Sequence, residues 1–311
     1  MMIRIGTRGS ALALAQTEWV KQRLEEKHSG LRVEIVTIKT SGDRFLNTPI
    51  KAIGGKGIFV KEIEEALLRR EIDLAVHSMK DLPTEIADGL TIAAVPERED
   101  SRDVLVSGVD TLFEHLPAGA RIGTGSLRRR AQLLHCRSEL SVQSIRGNVD
   151  TRLRKLDQGE FDALVMAAAG LKRLGLESRI GEYLPDAICL GAVAQGALAL
   201  ESRDNDPVIA SVAFLHDPPT ALEIMAERSF LRRLGGGCQI PVGARAWIDG
   251  NGLRLMGVVA DPDGRRLFRE EMESPVEQAE RLGQTLAERL LALGADEVLG
   301  AESRSAVRGA S

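Results

Sequence analysis

Short apolar runs alternate with stretches of helical spacing through the first two thirds of the chain. Residues 2–6 predict a strand. Ser10 then precedes Leu12, Ala15, Trp19 and Leu24, spaced for one helical face, and serine is a good N-cap. A second strand is predicted from Val33 to Ile38, then a helix carrying Phe59, Ile63, Ala66 and Leu67 on one stripe. Ile72–Val76 and Leu90–Val95 predict two further strands. Strand and helix in this order indicate an α/β domain with a mainly parallel sheet.

The charged run Glu97–Asp103 has no apolar period and reads as a linker. A second α/β pattern follows it. Arg121–Thr124 predicts a strand, and Ser126 opens a helix with Leu127, Ala131 and Leu134. Val142–Ile145 predicts a strand, and Asn148 opens a helix with Val149, Leu153 and Leu156. Ala163–Ala167 predicts another strand. A second charged run, Glu201–Pro207, reads as a passage back toward the first domain. From about Pro219 the pattern becomes α+β: a helix over Ala221–Leu231, strands at 242–248, 253–260 and 265–272, and a helix with Val276, Ala279, Leu286 and Leu290. The residues from about Glu302 are small and polar and read as a frayed end.

Between the second strand and its helix runs a Gly-, Asp-, Asn- and Thr-rich loop, from about Ser41 to Gly57. A connection of that length is usually functional or disordered. A flap ending in Gly54-Gly55-Lys56-Gly57 is the reading set against a plain surface insertion.

Composition narrows the function classes. Aromatic residues are 3% of the chain and its formal net charge is −4, which argues against base stacking and against a general nucleic-acid binder. The three cysteines, Cys136, Cys189 and Cys238, form no CxxC, which argues against a structural zinc site and a disulfide framework and fits a reducing compartment. Cys189 lies in an apolar stretch that reads as core. The N-terminus has no continuous apolar segment of signal-peptide type and no stretch approaches a membrane span, so a cytoplasmic protein is expected.

Against this acidic background the middle region is basic. Between Arg121 and Arg173 stand eleven Lys and Arg against five Asp and Glu. Arg128 and Arg129 sit in the first turn after Ser126, and Arg146 and Arg152 flank the helix after Asn148. Basic residues oppose the dipole at a helix N-terminus, but there they suit a bound anion shared with the free N–H groups. Gly123-Thr124-Gly125-Ser126 begins like a dinucleotide fingerprint, yet Arg128 replaces the third glycine and no P-loop is present. The nucleotide reading is therefore poor; several such cations together would hold a polycarboxylate or a phosphate. Lys80-Asp81 follows a parallel strand, where α/β folds bind ligands. That position raises Asp81 above a surface ion pair, as a group for proton transfer or cation stabilisation. His77 reads as a packing residue. Cys238 follows three glycines, which allow close backbone approach; a reactive thiol and a small buried hydrophobe both remain open for it.

Four motifs in order carry a resemblance: His77-Ser78-Met79-Lys80-Asp81-Leu82-Pro83, Gly123-Thr124-Gly125-Ser126-Leu127-Arg128-Arg129, Arg146-Gly147-Asn148-Val149-Asp150-Thr151-Arg152 and Gly236-Gly237-Cys238-Gln239-Ile240-Pro241. Together they resemble the porphobilinogen deaminase (hydroxymethylbilane synthase) family from about Ile3 to Leu299. The resemblance implies two α/β lobes like those of periplasmic binding proteins with a cleft between them, plus a small α+β C-terminal domain. The implied bounds are 1–98 with 197–216, 103–193, and 219–311. It implies a transferase of porphyrin and heme biosynthesis that joins four porphobilinogen molecules with loss of ammonia, giving a linear tetrapyrrole. It implies a dipyrromethane cofactor in thioether linkage to Cys238, and hand-over of product to the next enzyme of the pathway.

By motif position, Asp81 matches the catalytic aspartate. Cys238, Lys80, Asp81, Thr124, Ser126, Arg128, Arg129 and Arg146 match cofactor contacts. Arg8, Ser10, Arg146, Arg152, Arg173 and Lys56 match substrate contacts. No metal is implied, and nothing demands more than a monomer. Gly125 departs from the usual GTSSLRR run and loses a hydroxyl. Ala52 stands where a second flap lysine is expected, with Lys51 beside it. Gly9 occupies a variable position. The reading set against the transferase is a two-lobed polycarboxylate-binding protein without catalysis.

Overall fold

The computed structural model describes residues 2–44, 60–108, 111–235 and 240–299. Two compact units emerge. The first comprises Met1–Glu99, Arg173–Gly175 and Gly196–Ala221; the second comprises Asp100–Lys172, Leu176–Gln195 and Leu222–Ser311.

The first unit is built on a five-stranded sheet. Its strands are β1 (Met2–Thr7), β2 (Arg32–Thr37), β3 (Leu74–Ser78), β4 (Leu90–Ala94) and β10 (Leu198–Arg203), in the order β2-β1-β3-β10-β4. β1 runs parallel to β2 and β3, whereas β10 lies antiparallel to both β3 and β4. The expected charged passage at Glu201 is thus a central strand as far as Arg203. One face packs Ile3, Ile5, Leu74, Val76 and Leu200 against Val20 and Leu24 of helix Ala11–Lys27. The other packs Ala75 against Ile63, Ala66 and Leu67 of helix Lys61–Leu68.

Ser10 caps helix Ala11–Lys27, its hydroxyl accepting from the Ala13 N–H at 3.3 Å. The buried side of that helix differs from the expected stripe. It carries Gln16, Thr17, Val20 and Leu24, while Trp19 is exposed. Thr17 donates to the Ala13 carbonyl and Gln16 exchanges hydrogen bonds with Ser78, so both polar side chains are satisfied when buried.

The second unit holds a sheet of the same plan. Its strands are β5 (Asp103–Ser107), β6 (Arg121–Gly123), β7 (Ser141–Gln143), β8 (Ala163–Ala167) and β9 (Glu182–Tyr183), in the order β7-β6-β8-β5-β9. β6 pairs in parallel with β7 and β8, and β5 runs antiparallel to β8 and β9. The linker reading of Asp103 is corrected here: Asp103 opens β5 and is fully buried. Each sheet is therefore mixed, because one strand enters against the parallel set. The same unit carries an antiparallel sheet of β11 (Val242–Asp249), β12 (Gly252–Ala260) and β13 (Leu267–Pro275). Helix Ala279–Leu290 buries Leu282, Leu286 and Leu290. Among the described residues no helix is long and apolar enough to cross a membrane.

Candidate active site

In the first unit, the ends of β1 and β3 open into a small hollow lined by Arg8, Ser10, Gln16, His77, Ser78 and Asp81 among others. Arg8 and Ser10 lie on the turn between β1 and its helix. Asp81 closes the 3₁₀ turn Met79–Asp81 that follows β3. The Met79 N–H donates to the Ala197 carbonyl at 3.0 Å, and Leu82 N–H donates to Met79 O at 3.2 Å, so the turn is held at both ends. Three residues singled out from sequence thus meet in one concavity, at the carboxyl ends of parallel strands. Lys80 occupies the same turn, half-buried. Arg173 also belongs to this unit and donates to the Gly196 carbonyl at 2.6 Å. Burial pulls its guanidinium down to about 10, with Glu99 opposing.

In the second unit, two strand-to-helix turns bring arginines together. The first runs from β6 into helix Leu127–Cys136. Ser126 is its N-cap, accepting from the Arg129 N–H, and the Thr124 hydroxyl accepts from the Ser126 N–H. Arg128 and Arg129 are buried, and both pair with Asp103: Arg128 Nη1 to Oδ2 at 2.7 Å and Arg129 Nη2 to Oδ1 at 2.7 Å. Gln195 Nε2 donates to Oδ1 at 2.8 Å, Cys189 Sγ donates to Oδ2 at 3.2 Å, and Arg128 also donates to the Leu190 carbonyl. Burial pushes the Asp103 carboxyl up, but the charges of Arg128 and Arg129 override this and hold it far below the usual range. Burial, with Asp103 adjacent, pushes the Cys189 thiol up.

The second turn runs from β7 into helix Val149–Asp157. Gly147, between Arg146 and Asn148, has φ +109°, and a Cβ there would lie 2.7 Å from Thr151 Cγ2. Arg152 Nε donates to the Gly147 carbonyl at 2.8 Å. Burial, then the charges of Arg129 and Arg146, pull the Arg152 guanidinium down to about 10. Arg129 and Arg146 are thus close enough to Arg152 for their charges to disfavour its own. A Cβ on Gly125 would stand 2.9 Å from the Ile145 carbonyl oxygen, so the glycine permits the two turns to approach closely.

Asp103, Gln195 and Glu201 were not among the expected site residues. Asp103 precedes Val104-Leu105-Val106, and Glu201 follows Leu198-Ala199-Leu200. An acid at the edge of an apolar run was the available signal. Of the loop expected from about Ser41 to Gly57, Ser41–Arg44 form a short helix; the rest of that flap reading, Lys56 with it, and Cys238 lie outside the described residues.

Comparison with known proteins gives consistent matches. A family model described as the porphobilinogen deaminase dipyrromethane cofactor binding domain matches residues 3–211, and one described as the porphobilinogen deaminase C-terminal domain matches residues 221–292. The porphobilinogen deaminase of Pelobacter propionicus is 53% identical over 298 residues, covering 96% of each chain. That of Syntrophotalea carbinolica is 54% identical over 300 residues, covering 96% of this chain and 95% of its own. Among solved structures, a putative methionine-binding lipoprotein of Bacillus subtilis matches 70% of this chain and 92% of its own, with TM-score 0.42 and 15% identity. A periplasmic binding protein of Salmonella typhimurium covers 71% of this chain and 93% of its own, with TM-score 0.38 and 14% identity.

Proposed function

Because the chain belongs to the porphobilinogen deaminase family, we propose that it joins four porphobilinogen molecules head to tail, releasing one ammonia per ring and forming hydroxymethylbilane. The observation that carries this reading is the hollow shared by Arg8, Ser10 and Asp81. It sets a carboxylate beside a guanidinium and a hydroxyl. Loss of ammonia leaves a pyrrole whose N–H becomes cationic, and a carboxylate beside it stabilises that charge. Asp81 takes this role and moves the proton. Arg8 and Ser10 hold substrate carboxylates.

Porphobilinogen carries two carboxylates, so each added ring adds two negative charges. Arg146, Arg152, Arg173 and Lys56 are assigned to these charges. The charges of Arg129 and Arg146 disfavour that of Arg152, and a ligand bearing several carboxylates relieves that repulsion. The carboxylates of the dipyrromethane cofactor would bring the same relief. Thr124, Ser126, Arg128, Arg129 and Arg146 would hold it, with Lys80 and Asp81, and the Cys238 sulfur would be its thioether anchor. When bound, the cofactor supplies a primer that is retained while product is released by hydrolysis. Asp103 fixes Arg128 and Arg129 before any ligand arrives, which lowers the ordering cost of binding.

A cytoplasmic location and hand-over of product to the next enzyme of the pathway belong to the same reading. Cys136 and Cys189 as free thiols agree with a reducing compartment.

The test is intact mass of active protein followed by peptide mapping. Added mass of two pyrrole rings on the Cys238 peptide is expected. Active protein with Cys238 unmodified would remove the covalent-primer mechanism.

A further inference from the structure

His77 and Glu201 form a buried pair for which the reading above has no task. On the antiparallel strands β3 and β10, His77 faces Ala199 and Glu201 faces Ala75. The two side chains are diagonal neighbours on one sheet face, a separation long side chains can bridge. His77 Nε2 lies 3.0 Å from Glu201 Oε2, with the side chains 4% and 0% exposed. Glu201 Oε1 is also buried and has no hydrogen-bond partner among the described residues. An unsatisfied buried acceptor is destabilising, so stability alone does not account for a carboxylate here. The pairing of β10 with β4 is irregular at this place, with Leu200 opposite Ala94 and Glu201 opposite Ile92. Such bulges are common next to active sites.

The pair is not isolated from the chemistry. His77 is among the residues that line the hollow, together with Asp81, Arg8 and Ser10. We infer that His77, oriented by Glu201, is a second proton-handling group of the ring-joining reaction, beside Asp81. This inference rests on the porphobilinogen reading. Each addition breaks one C–N bond and one C–H bond and forms one C–C bond. The departing amine nitrogen gains a proton, and the attacking pyrrole carbon loses one. An imidazole that gives the first proton and takes up the second returns to its starting state each cycle. Asp81 then stabilises the pyrrole cation and carries the pyrrole N–H proton, a different proton from the two that the imidazole handles.

The charged groups around His77 come from four elements. Glu201 comes from β10 and Glu64 from helix Lys61–Leu68, while Arg8 and Asp81 come from the turns after β1 and β3. Burial raises the Glu64 carboxyl; Glu201 adds to this and His77 opposes it.

The experiment uses cofactor-loaded protein, verified by mass, with porphobilinogen as substrate. H77Q keeps an amide N–H for Glu201 but cannot carry a proton. Its kcat is expected to fall about 100-fold with KM nearly unchanged, and the pH dependence in the histidine range to vanish. E201Q removes the carboxylate that orients the ring, so kcat is expected to fall about 10-fold with KM nearly unchanged. Wild-type kcat in H77Q, a slower H77Q that keeps that pH dependence, or wild-type kcat in E201Q would each overturn the inference. If H77Q does not fold, NMR titration of the His77 ring in the wild-type protein decides: a ring that does not titrate between about pH 5 and 8 overturns it. Wild-type protein that fails to turn over porphobilinogen removes the family reading and this inference together. Normal wild-type turnover with an unaffected H77Q removes this inference alone.

Discussion

A carboxylate buried as fully as that of Asp103 keeps its charge only because two guanidiniums, an amide and a thiol converge on it. Breaking such a pair from one side leaves buried charge uncompensated, at a cost of about 3–5 kcal/mol. D103N is therefore expected to lose about that much stability in urea unfolding, and to bind carboxylate ligands more weakly because Arg128 and Arg129 lose their fixed positions. The pH dependence has a definite sign. The folded carboxyl lies below its unfolded value, so its contribution is complete above the ordinary carboxylate range and is lost as pH falls through the folded value. The stability advantage of wild type over D103N should be full at about pH 6 and shrink only below about pH 4. Asp81 calls for a different expectation, being half-buried beside the hollow. D81N should fold normally and lose roughly 100- to 10,000-fold in turnover; unchanged turnover would remove Asp81 from the mechanism. Asp81 was legible because its strand-end position is a local property. Asp103 was not, because the arginines that neutralise it stand some 25 residues further along the chain.

Both five-stranded sheets contain one strand that runs against its neighbours, β10 in the first unit and β5 in the second. Each of these strands carries one fully buried acid, Glu201 or Asp103, paired to a basic group on a neighbouring element. Charge at the ends of β5 and β10 disguised them as linkers, since hydrophobic counting treats any acid as exposed. Helix starts were easier to read. The Ser10 and Ser126 caps form hydrogen bonds within three residues, and no tertiary contact is needed to define them. The buried face of helix Ala11–Lys27 was harder, because Gln16 gains its partner only from Ser78. The turn after β7 makes a prediction at this scale. G147A would force an alanine to φ +109° and against Thr151. A loss of about 1–3 kcal/mol is expected, with weaker binding of carboxylate ligands because Arg146 and the Arg152 partner carbonyl shift together. An equally stable G147A would show that the turn can relax.

Native thiol labelling tests the whole molecule. Cys136 is exposed, whereas Cys189 is buried with its thiol held protonated. Alkylation of folded, cofactor-loaded protein should therefore modify Cys136, spare Cys189, and leave Cys238 blocked by its thioether. Rapid labelling of Cys238 in active protein would contradict the proposed anchor. R146A should stall the reaction between additions, seen as enzyme carrying intermediate numbers of rings by intact mass; normal release without trapped species would count against the carboxylate role. The order of elements, the helix caps, the basic stretch and the motif positions of Asp81 and Cys238 are all local in the chain, because each depends on spacing and residue type over a few positions. Which acids are buried, which arginines they hold and where β10 inserts are tertiary decisions. They depend on groups that lie 25 to 124 residues apart and meet only when the sheets form, and burial then changes what each charge costs.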